Sequence, residues 1–201
     1  MLSDKILLKK NYLLASWFFN KSMINLISLI MGVGIQKASV VSGFDIVIEL
    51  INKNIYPILL FLSNHTLWQF KNLIDIVCYD VPKKFYRFSL IYNLTSLHYN
   101  LRLRVITKIN ELGKVFSVVG LYKSANWSER EIFDFFGIFF WGNKDLRRIL
   151  SDYGFTGFPL RKNFPLSGYI DIFYDDNQKR ICYRNLELNQ EYRNFILKSL
   201  W

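Results

Sequence analysis

The chain has 201 residues, 51% of them hydrophobic and 17% aromatic, and a formal net charge of +10. This length accommodates one domain with extensions or two small domains, and the high apolar content excludes an intrinsically disordered protein. Cys78 and Cys182 are isolated from each other, as are His65 and His98, so these residues cannot form a four-ligand zinc or iron–sulfur site by themselves. Two lone cysteines favour a reducing compartment.

The positive charge raises the possibility of nucleic-acid binding. Residues 1–44 carry five lysines and one aspartate, and residues 45–126 carry ten basic and five acidic side chains. Residues 127–169 carry six basic and five acidic side chains, and residues 170–201 are neutral. A phosphate-binding surface concentrates uncompensated basic residues with aromatic side chains, whereas here the excess is scattered. We therefore keep a basic organellar RNA-binding or ribosomal protein only as the alternative class.

The first part of the chain, residues 1–43, is an apolar, lysine-rich extension in which we predict a helix from Leu7 to Phe19. Its longest apolar stretch lies between Lys21 and Lys37 and contains Asn25. A bilayer-spanning helix needs about 20 apolar residues, so this stretch is too short. We expect no transmembrane segment.

A mixed α+β domain is predicted for residues 44–136. Alternating apolar and acidic residues predict a strand over Phe44–Leu50, and an apolar run predicts a helix over Ile55–Leu62. Thr66 and Gln69 have the spacing of a capping box, which predicts a further helix. Its apolar face would consist of Leu67, Phe70, Leu73, Ile74 and Val77.

Three strands are predicted after Pro82, over Phe85–Leu94, Leu101–Lys108 and Val115–Tyr122. The middle strand places Arg102 on the face opposite its apolar residues, which is typical of a sheet with one solvated face. The short connections at residues 96–100 and 110–114 predict hairpins. The predicted fold is thus an antiparallel sheet with helices on one face, followed by an extended, loop-rich C-terminal segment.

Residues 125–169 are the most densely specified part of the sequence. Ser128 and Glu131 form a second capping box, which predicts a helix beginning at Glu129. Gly137 is placed to end that helix with a left-handed residue. Arg130 could pair with the acidic residue four positions later, Asp134.

Residues 137–201 are predicted to be extended and loop-rich. Five of the ten glycines lie between Gly137 and Gly168, which disfavours helix or strand there. Asp145 is predicted to cap a short turn, and residues 152–154 to form another. Two extended pieces, at residues 170–174 and 180–184, flank a turn at residues 175–177.

No catalytic constellation stands out. Glu129, Glu131 and Asp134 could supply a general acid and base, but acidic residues in the first turns of a helix also cap it and interact favourably with its dipole. A hydrolase that uses Glu131 or Asp134 is a distant third class. The glycine-rich stretch at residues 154–168 lacks the spacing of a phosphate-binding loop. We predict no cofactor site on this chain.

The charged residues of this run are instead interpreted as an interface. Arginine is the cation favoured in desolvated contacts, and here the arginines alternate with apolar residues. We expect Arg161 and Lys162 to anchor the loop. The full predicted set is Glu129, Arg130, Asp134, Arg147, Arg148, Asp152, Arg161 and Lys162.

The same run carries motifs that resemble one family. They are Ala125-Asn126-Trp127, Glu129-Arg130-Glu131, Asp134-Phe135-Phe136-Gly137, Asp145-Leu146-Arg147-Arg148-Ile149-Leu150, Asp152-Tyr153-Gly154-Phe155, Pro159-Leu160-Arg161-Lys162 and Phe164-Pro165-Leu166-Ser167-Gly168-Tyr169. With them the chain resembles the thirty-kilodalton subunit of respiratory complex I, in its mitochondrially encoded form and in the similar bacterial form. The resemblance extends over residues 44–177. Asn143, Lys144 and Phe158 depart from it, because the family usually has His-Pro and His there.

The resemblance implies a non-catalytic subunit of a hetero-oligomer, the peripheral matrix arm of NADH:ubiquinone oxidoreductase at the mitochondrial inner membrane. Its neighbour would be the forty-nine-kilodalton subunit, which helps to form the quinone pocket. NADH, FMN, iron–sulfur clusters and ubiquinone would be bound by neighbouring subunits. The first forty residues contain no arginine, unlike an imported presequence, so we expect the chain to be encoded in the organelle.

Overall fold

The computed structural model describes residues 35–41, 45–193, 195 and 197. The elements in chain order are β1 (Ile35–Val41), β2 (Asp45–Leu50), a 3₁₀ turn (Asn52–Asn54), α1 (Ile55–Asn64), β3 (Asn72–Asp80), β4 (Phe88–Ser96), β5 (Leu101–Ile109), β6 (Lys114–Phe116), α2 (Ala125–Phe136), β7 (Phe139–Trp141), β8 (Ile170–Asp175) and β9 (Arg180–Asn185). The helix predicted for Leu7–Phe19 lies outside the described residues. Within the predicted extension, residues 35–41 form β1.

The central sheet has five strands in the order β1-β2-β5-β4-β3. β3 pairs with β4, β4 with β5 and β1 with β2, and all three pairs are antiparallel. β2 and β5 pair in parallel, with Ile48 opposite Val105. The predicted α+β fold with an antiparallel-rich sheet is therefore confirmed. The parallel pair differs from a simple meander, because β2 and β5 are distant in sequence and meet only through the tertiary fold.

One hydrophobic core lies on a single face of this sheet. Alternate residues of β2, β4 and β5 point into it, and the strand-facing sides of α1 and α2 complete it. Its largest buried side chains include Trp68, Phe70, Phe88 and Tyr92. Phe136 of α2 contacts Phe88 edge-on, with 6.2 Å between the ring centroids. The helices thus cover one face of the sheet, and the other carries the exposed residues of β5.

The helix predicted after Thr66 is wrong, because residues 72–80 form strand β3. Gln69 adopts a positive φ of 43°, and Phe70 donates its N–H to Leu62 at 3.1 Å, so the chain turns there. A bulge between Leu73 and Asp75 shifts the register of β3. That shift gives the apolar residues a spacing that resembles helical periodicity.

The strand predicted for Val115–Tyr122 is confirmed only at its beginning. β6 has three residues and pairs in parallel with β7 in a separate sheet, so residues 110–114 do not connect a hairpin. Val118 then starts a turn, since it accepts the N–H groups of Leu121 and Tyr122 at 2.9 Å. Its own N–H is bound by a side chain of α2, which removes it from any β ladder.

The end of α2 agrees with the sequence and its beginning does not. Gly137 has a φ of 71° and donates its N–H to Phe133 at 2.9 Å, which is a left-handed C-cap. The helix begins at Ala125 instead of Glu129, and Ser128 is not its cap. The hydroxyl of Ser128 lies 3.4 Å from the Asp75 carboxylate, so this side chain connects α2 to β3.

The chain forms two compact units, one up to Lys162 and one from Asn163. Residues 137–162, which the sequence groups with the tail, belong to the first unit. The second unit contains the hairpin of β8 and β9, in which Ile172 lies opposite Tyr183. This hairpin confirms the two extended pieces expected in the tail.

Candidate docking site

Glu129 lies on the buried side of α2 and is fully inaccessible to solvent. Its carboxylate accepts hydrogen bonds from the Ser117 hydroxyl at 2.7 Å, the Val118 N–H at 2.7 Å and the Asn143 amide at 3.0 Å. Burial raises the pKa of Glu129, and these three donors oppose that shift. One acidic side chain therefore fastens the segments before and after α2 to the helix.

Asp134, five residues further along α2, is also fully buried. It accepts the backbone N–H groups of Ile149, Leu150 and Ser151 at 3.2, 2.8 and 2.8 Å, together with the Ser151 hydroxyl. Burial alone would raise the pKa of Asp134, but the hydrogen bonds from Ser151, Leu150 and Ile149 outweigh it and hold the pKa below its usual value. The carboxylate thus shapes the loop that follows β7.

A third buried carboxylate, Asp80 at the end of β3, binds both Arg87 and the loop. The Arg87 guanidinium meets its two oxygens at 2.9 Å each, and the Lys162 N–H donates to it at 2.8 Å. The hydrogen bond from Arg87 lowers the pKa of Asp80 against the opposing effect of burial. Arg87 also pairs with Glu111 at 2.9 Å. The network joins three segments that are far apart in sequence.

Two of the three arginines in the loop that follows β7, Arg148 and Arg161, point into their own unit. Arg161 donates to the Phe136 carbonyl at 2.6 Å, and its guanidinium lies 4.5 Å from the Phe158 ring centroid. Arg148 donates to the Gly157 carbonyl at 2.9 Å and lies 5.2 Å from the same ring. The Phe158 ring therefore contacts two cations, and each contact contributes about 0.5–2 kcal/mol.

Two predicted contacts are wrong. Arg130 does not pair with Asp134, because it donates to the Arg147 carbonyl at 3.1 Å and approaches Asp145 at 3.8 Å. Asp145 caps no helical turn, since residues 145–150 contain no helix, and it instead forms an ion pair with Arg147 at 2.9 Å. The turn expected at Asp152 is present, with the Phe155 N–H donating to its carbonyl at 3.1 Å.

The predicted interface residues divide into two groups. Arg147, Asp152 and Lys162 are exposed. The remaining five point inward or are partly buried, and they hold the loop on its own unit. These five are Glu129, Arg130, Asp134, Arg148 and Arg161. Their contact with a partner stays a prediction.

Sequence reasoning missed four residues that bind in these contacts: Asp80, Arg87 and Glu111 in the network around Asp80, and Ser117, which binds Glu129. A signal for Asp80 exists once β3 is recognised as a strand. Asp80 then falls on the same face as Ile76 and Cys78, which are buried. A charged residue on a buried face requires a partner, and the nearest basic residue beyond the connection is Arg87.

The hairpin of the second unit has one apolar face open to solvent. Its exposed side chains are Ile170, Ile172, Tyr174, Ile181 and Tyr183. On the opposite face, side chains of the two strands contact each other: Arg184 binds Asp171 at 2.8 Å and lies over Phe173. Because isolated two-stranded hairpins are marginally stable in water, an open apolar face of this kind is typical of a contact surface.

Within the part of the chain that the structure describes, no cluster of three or more histidine, cysteine, aspartate or glutamate side chains could hold a metal ion. The two cysteines in that part are free thiols, and burial raises the pKa of Cys78 to about 12. Neither described helix is long and apolar enough to cross a membrane.

Comparison with known proteins shows that the chain is similar to subunits of respiratory enzymes. Residues 48–170 match the family described as the respiratory-chain NADH dehydrogenase 30-kDa subunit. The NADH-ubiquinone oxidoreductase subunit 9 of Reclinomonas americana is 49% identical over 74% of this chain and 72% of its own length. An NADH-quinone oxidoreductase subunit of Parvibaculum lavamentivorans is 48% identical over 74% of each chain.

A third relative is the mitochondrial NADH dehydrogenase [ubiquinone] iron-sulfur protein 3 of Candida albicans, 51% identical over 73% of this chain and 53% of its own length. A chain of an archaeal membrane-bound sulfane sulfur reductase shares the fold, with a TM-score of 0.63 and 22% identity over 73% of this chain and 85% of that chain. The family match and the relatives at about 50% identity place the chain in the class of respiratory-enzyme subunits. It belongs to the family of the 30-kDa subunit of respiratory-chain NADH dehydrogenase, complex I.

Proposed function

We propose that this chain is a non-catalytic subunit of the peripheral, matrix-side arm of NADH:ubiquinone oxidoreductase at the mitochondrial inner membrane. It packs beside the 49-kDa subunit near the site of quinone reduction and supports electron transfer from NADH to ubiquinone. NADH, FMN, iron–sulfur clusters and ubiquinone are bound by its neighbours. The relatives named as subunits of this oxidoreductase support the proposal.

The observation that carries the proposed docking role is the open apolar face of the hairpin β8–β9. Ile172 and Tyr183 lie opposite each other on that face and are 49% and 62% exposed. Burying a side chain of this size contributes roughly 1.5–3 kcal/mol, so a partner that covers this face would gain affinity from it. The chain has 18 Phe and 12 Tyr, an abundance that is expected when the coding DNA is AT-rich, and this supports synthesis within the organelle.

The test replaces this apolar surface without touching the first unit. The double variant Ile172→Ser/Tyr183→Ser is introduced into a host that lacks its own 30-kDa subunit. We expect the variant to lose co-migration with NADH dehydrogenase activity on a native gel. The matched control is Asp176→Ser/Lys179→Ser in the exposed turn of the same hairpin, which leaves the net charge unchanged.

Three outcomes are distinguishable. Loss of assembly for the apolar variant alone supports docking through the hairpin. Normal assembly of the apolar variant would contradict it. The RNA-binding alternative was based on the net charge of the chain. It would be favoured if the unmodified chain were absent from the complex and the purified protein retained RNA in a salt-dependent manner.

A further inference from the structure

The connection between β3 and β4 is a short closed loop that holds aromatic side chains in solvent. The Val81 N–H donates to the Arg87 carbonyl at 2.9 Å, and the Lys84 N–H donates to the Val81 carbonyl at 3.1 Å. Phe85 of this loop is 81% exposed. Its ring meets that of Tyr86 edge-on, with 5.2 Å between the centroids. One exposed ring is common on protein surfaces, so its surroundings decide what it can bind.

The ends of this loop are fixed by contacts in the interior. The ion pair between Asp80 and Arg87 joins the last residue of β3 to the residue before β4. Pro82 restricts one further backbone angle, because its ring fixes φ. A surface segment that is already ordered loses little conformational entropy when it binds a partner. The loop is therefore preorganised for a contact.

Three segments meet where β3 and β5 end and β4 begins, and their inner charges cancel. Glu111, in the connection between β5 and β6, binds Arg87 at 2.9 Å and Arg161 at 3.4 Å. Asp80 binds Arg87 and also accepts the Lys162 N–H. Two carboxylates and two guanidinium groups therefore form a cluster without net charge.

The lysines of the same three segments remain as an excess of positive charge. They are Lys83, Lys84, Lys114 and Lys162, and all four are exposed. Within the described residues, none of the four has a carboxylate as an ion-pair partner. Leu112, in the connection between β5 and β6, is 93% exposed and adds another apolar side chain. The fold thus gathers in one place lysines that are scattered in the sequence.

We propose that this end of the sheet docks another subunit of the hetero-oligomer to which the chain belongs, through a partner surface in which acidic side chains surround an apolar recess. Phe85 enters the recess, and the carboxylates pair with Lys83 and Lys84. A few side chains buried at the centre of an interface usually carry most of its binding energy, and complementary charges around them add specificity and speed of association.

This docking surface belongs to the first unit, whereas the contact proposed above uses hairpin β8–β9 of the second unit. The inference therefore does not depend on the proposed docking of the hairpin. Loss of either contact is also measured separately, because the experiments below change no residue of the hairpin.

Other occupants fit this surface less well. Single-stranded RNA stacks its bases on open aromatic faces, whereas the edge of one ring of the pair Phe85–Tyr86 covers a face of the other. The chain's own tail, residues 170–201, has no net charge and so offers no acidic excess. An anionic lipid surface shares the charge preference, and the experiment distinguishes it.

The first experiment uses the native complex that contains the unmodified chain. A carbodiimide joins a lysine amine to a carboxylate in direct contact, and mass spectrometry identifies the joined peptides. We expect Lys83 or Lys84 to be joined to an aspartate or glutamate of a neighbouring subunit. Both lysines should also be acylated more slowly in the complex than in the purified full chain.

A competition then measures what these side chains contribute to assembly. A tagged variant and the untagged unmodified chain are co-expressed in a host that lacks its own 30-kDa subunit, and their ratio in the complex is compared with their ratio outside it. Lys83→Glu/Lys84→Glu and Phe85→Ser should each lower relative incorporation about tenfold, equivalent to about 1.4 kcal/mol. The matched control Lys71→Glu/Lys123→Glu makes the same change in charge at exposed positions near the start of β3, and it should be incorporated normally.

Lys83→Ala/Lys84→Ala covers the case in which charge reversal impairs folding, and it should still lower incorporation. Equal loss in the control pair would mean non-specific attraction and would overturn the proposal. Cross-links of the two lysines only to Glu187 or Glu191 of the chain's own tail, or equal acylation in the complex and in the free chain, would also overturn it. Protection that is lost on nuclease digestion, or on removal of lipid by detergent, would overturn it in favour of nucleic acid or an anionic lipid surface.

Discussion

The carboxylate of Asp80 and the guanidinium of Arg87 form a bidentate ion pair across the connection between β3 and β4, with both N–O distances at 2.9 Å. The aspartate side chain is fully buried and the arginine side chain is 11% exposed. The Lys162 N–H joins the same carboxylate, so this pair also holds the end of the loop.

Asp80→Asn should therefore destabilise the chain strongly. The substitution removes the charge that Arg87 and the Lys162 N–H contact, and although Glu111 still pairs with Arg87, loss of these charge-assisted hydrogen bonds costs about 1.5–3 kcal/mol. The free energy of unfolding, measured by urea titration of the purified chain, should fall by that amount. Asp176→Asn, at an exposed position, serves as the control and should change it by less than about 0.5 kcal/mol. A loss below about 1 kcal/mol for Asp80→Asn would show that the pair adds little.

Asp134→Asn should lower stability in a pH-dependent manner. The folded-state pKa of Asp134 is lowered, so its carboxylate stabilises the fold above the unfolded-state pKa of about 3.9. That contribution is lost as the pH falls through the lower folded-state pKa. The stability difference between wild type and variant should be large at neutral pH and shrink in acid below about pH 4. A difference that stays constant with pH would contradict the assigned role.

Glu129→Gln should show the opposite dependence on pH. Burial raises the folded-state pKa of Glu129, so the folded state favours the protonated acid. Wild type should then lose stability relative to the variant as the pH rises from about 4.3, the unfolded value, through the raised folded value. Urea titrations at several pH values measure this slope. Identical slopes for the two proteins would mean that the three hydrogen bonds cancel the effect of burial.

Gly137→Ala should destabilise the junction between α2 and β7. A Cβ at this residue would lie 2.5 Å from the Phe158 ring, and the φ of 71° strains any residue with a side chain. The expected loss in the free energy of unfolding is about 1–3 kcal/mol. Gly120→Ala is the matched control, because its Cβ would meet the Tyr56 hydroxyl at an ordinary 3.7 Å. Equal effects of the two substitutions would exclude the Phe158 contact as the cause.

Arg161→Ala and Lys162→Ala should separate stability from docking. Arg161 donates a charge-assisted hydrogen bond to Phe136, a type of bond that contributes about 1.5–3 kcal/mol, so its loss should lower the stability of the isolated chain. Lys162 binds Asp80 through its backbone N–H, which the substitution retains, and its side chain is exposed. Lys162→Ala should leave stability unchanged. Impaired assembly of this variant on a native gel would then identify Lys162 as an interface residue.

Where sequence reasoning failed, the local pattern was ambiguous or the decisive partner was distant. The apolar residues of β3 mimic helical spacing because a bulge after Leu73 shifts their alternation. Arg130 and Asp134 have the spacing of a helical ion pair, but each finds stronger partners in the loop of residues 143–151. Which partner a charged side chain binds depends on which groups are buried next to it, and burial is decided only when the whole chain has folded.

The sequence by itself determined the strand alternation of β5, the stop of α2 at Gly137 and the family motifs of residues 125–169. These features depend on residues close together in the chain, through side-chain periodicity and the conformational freedom of glycine. Only the tertiary structure decided that β2 pairs in parallel with β5 and that Asp80, Glu129 and Asp134 hold the loop. Buried carboxylates must find donors, and which donors lie within reach is set by the packing of distant segments.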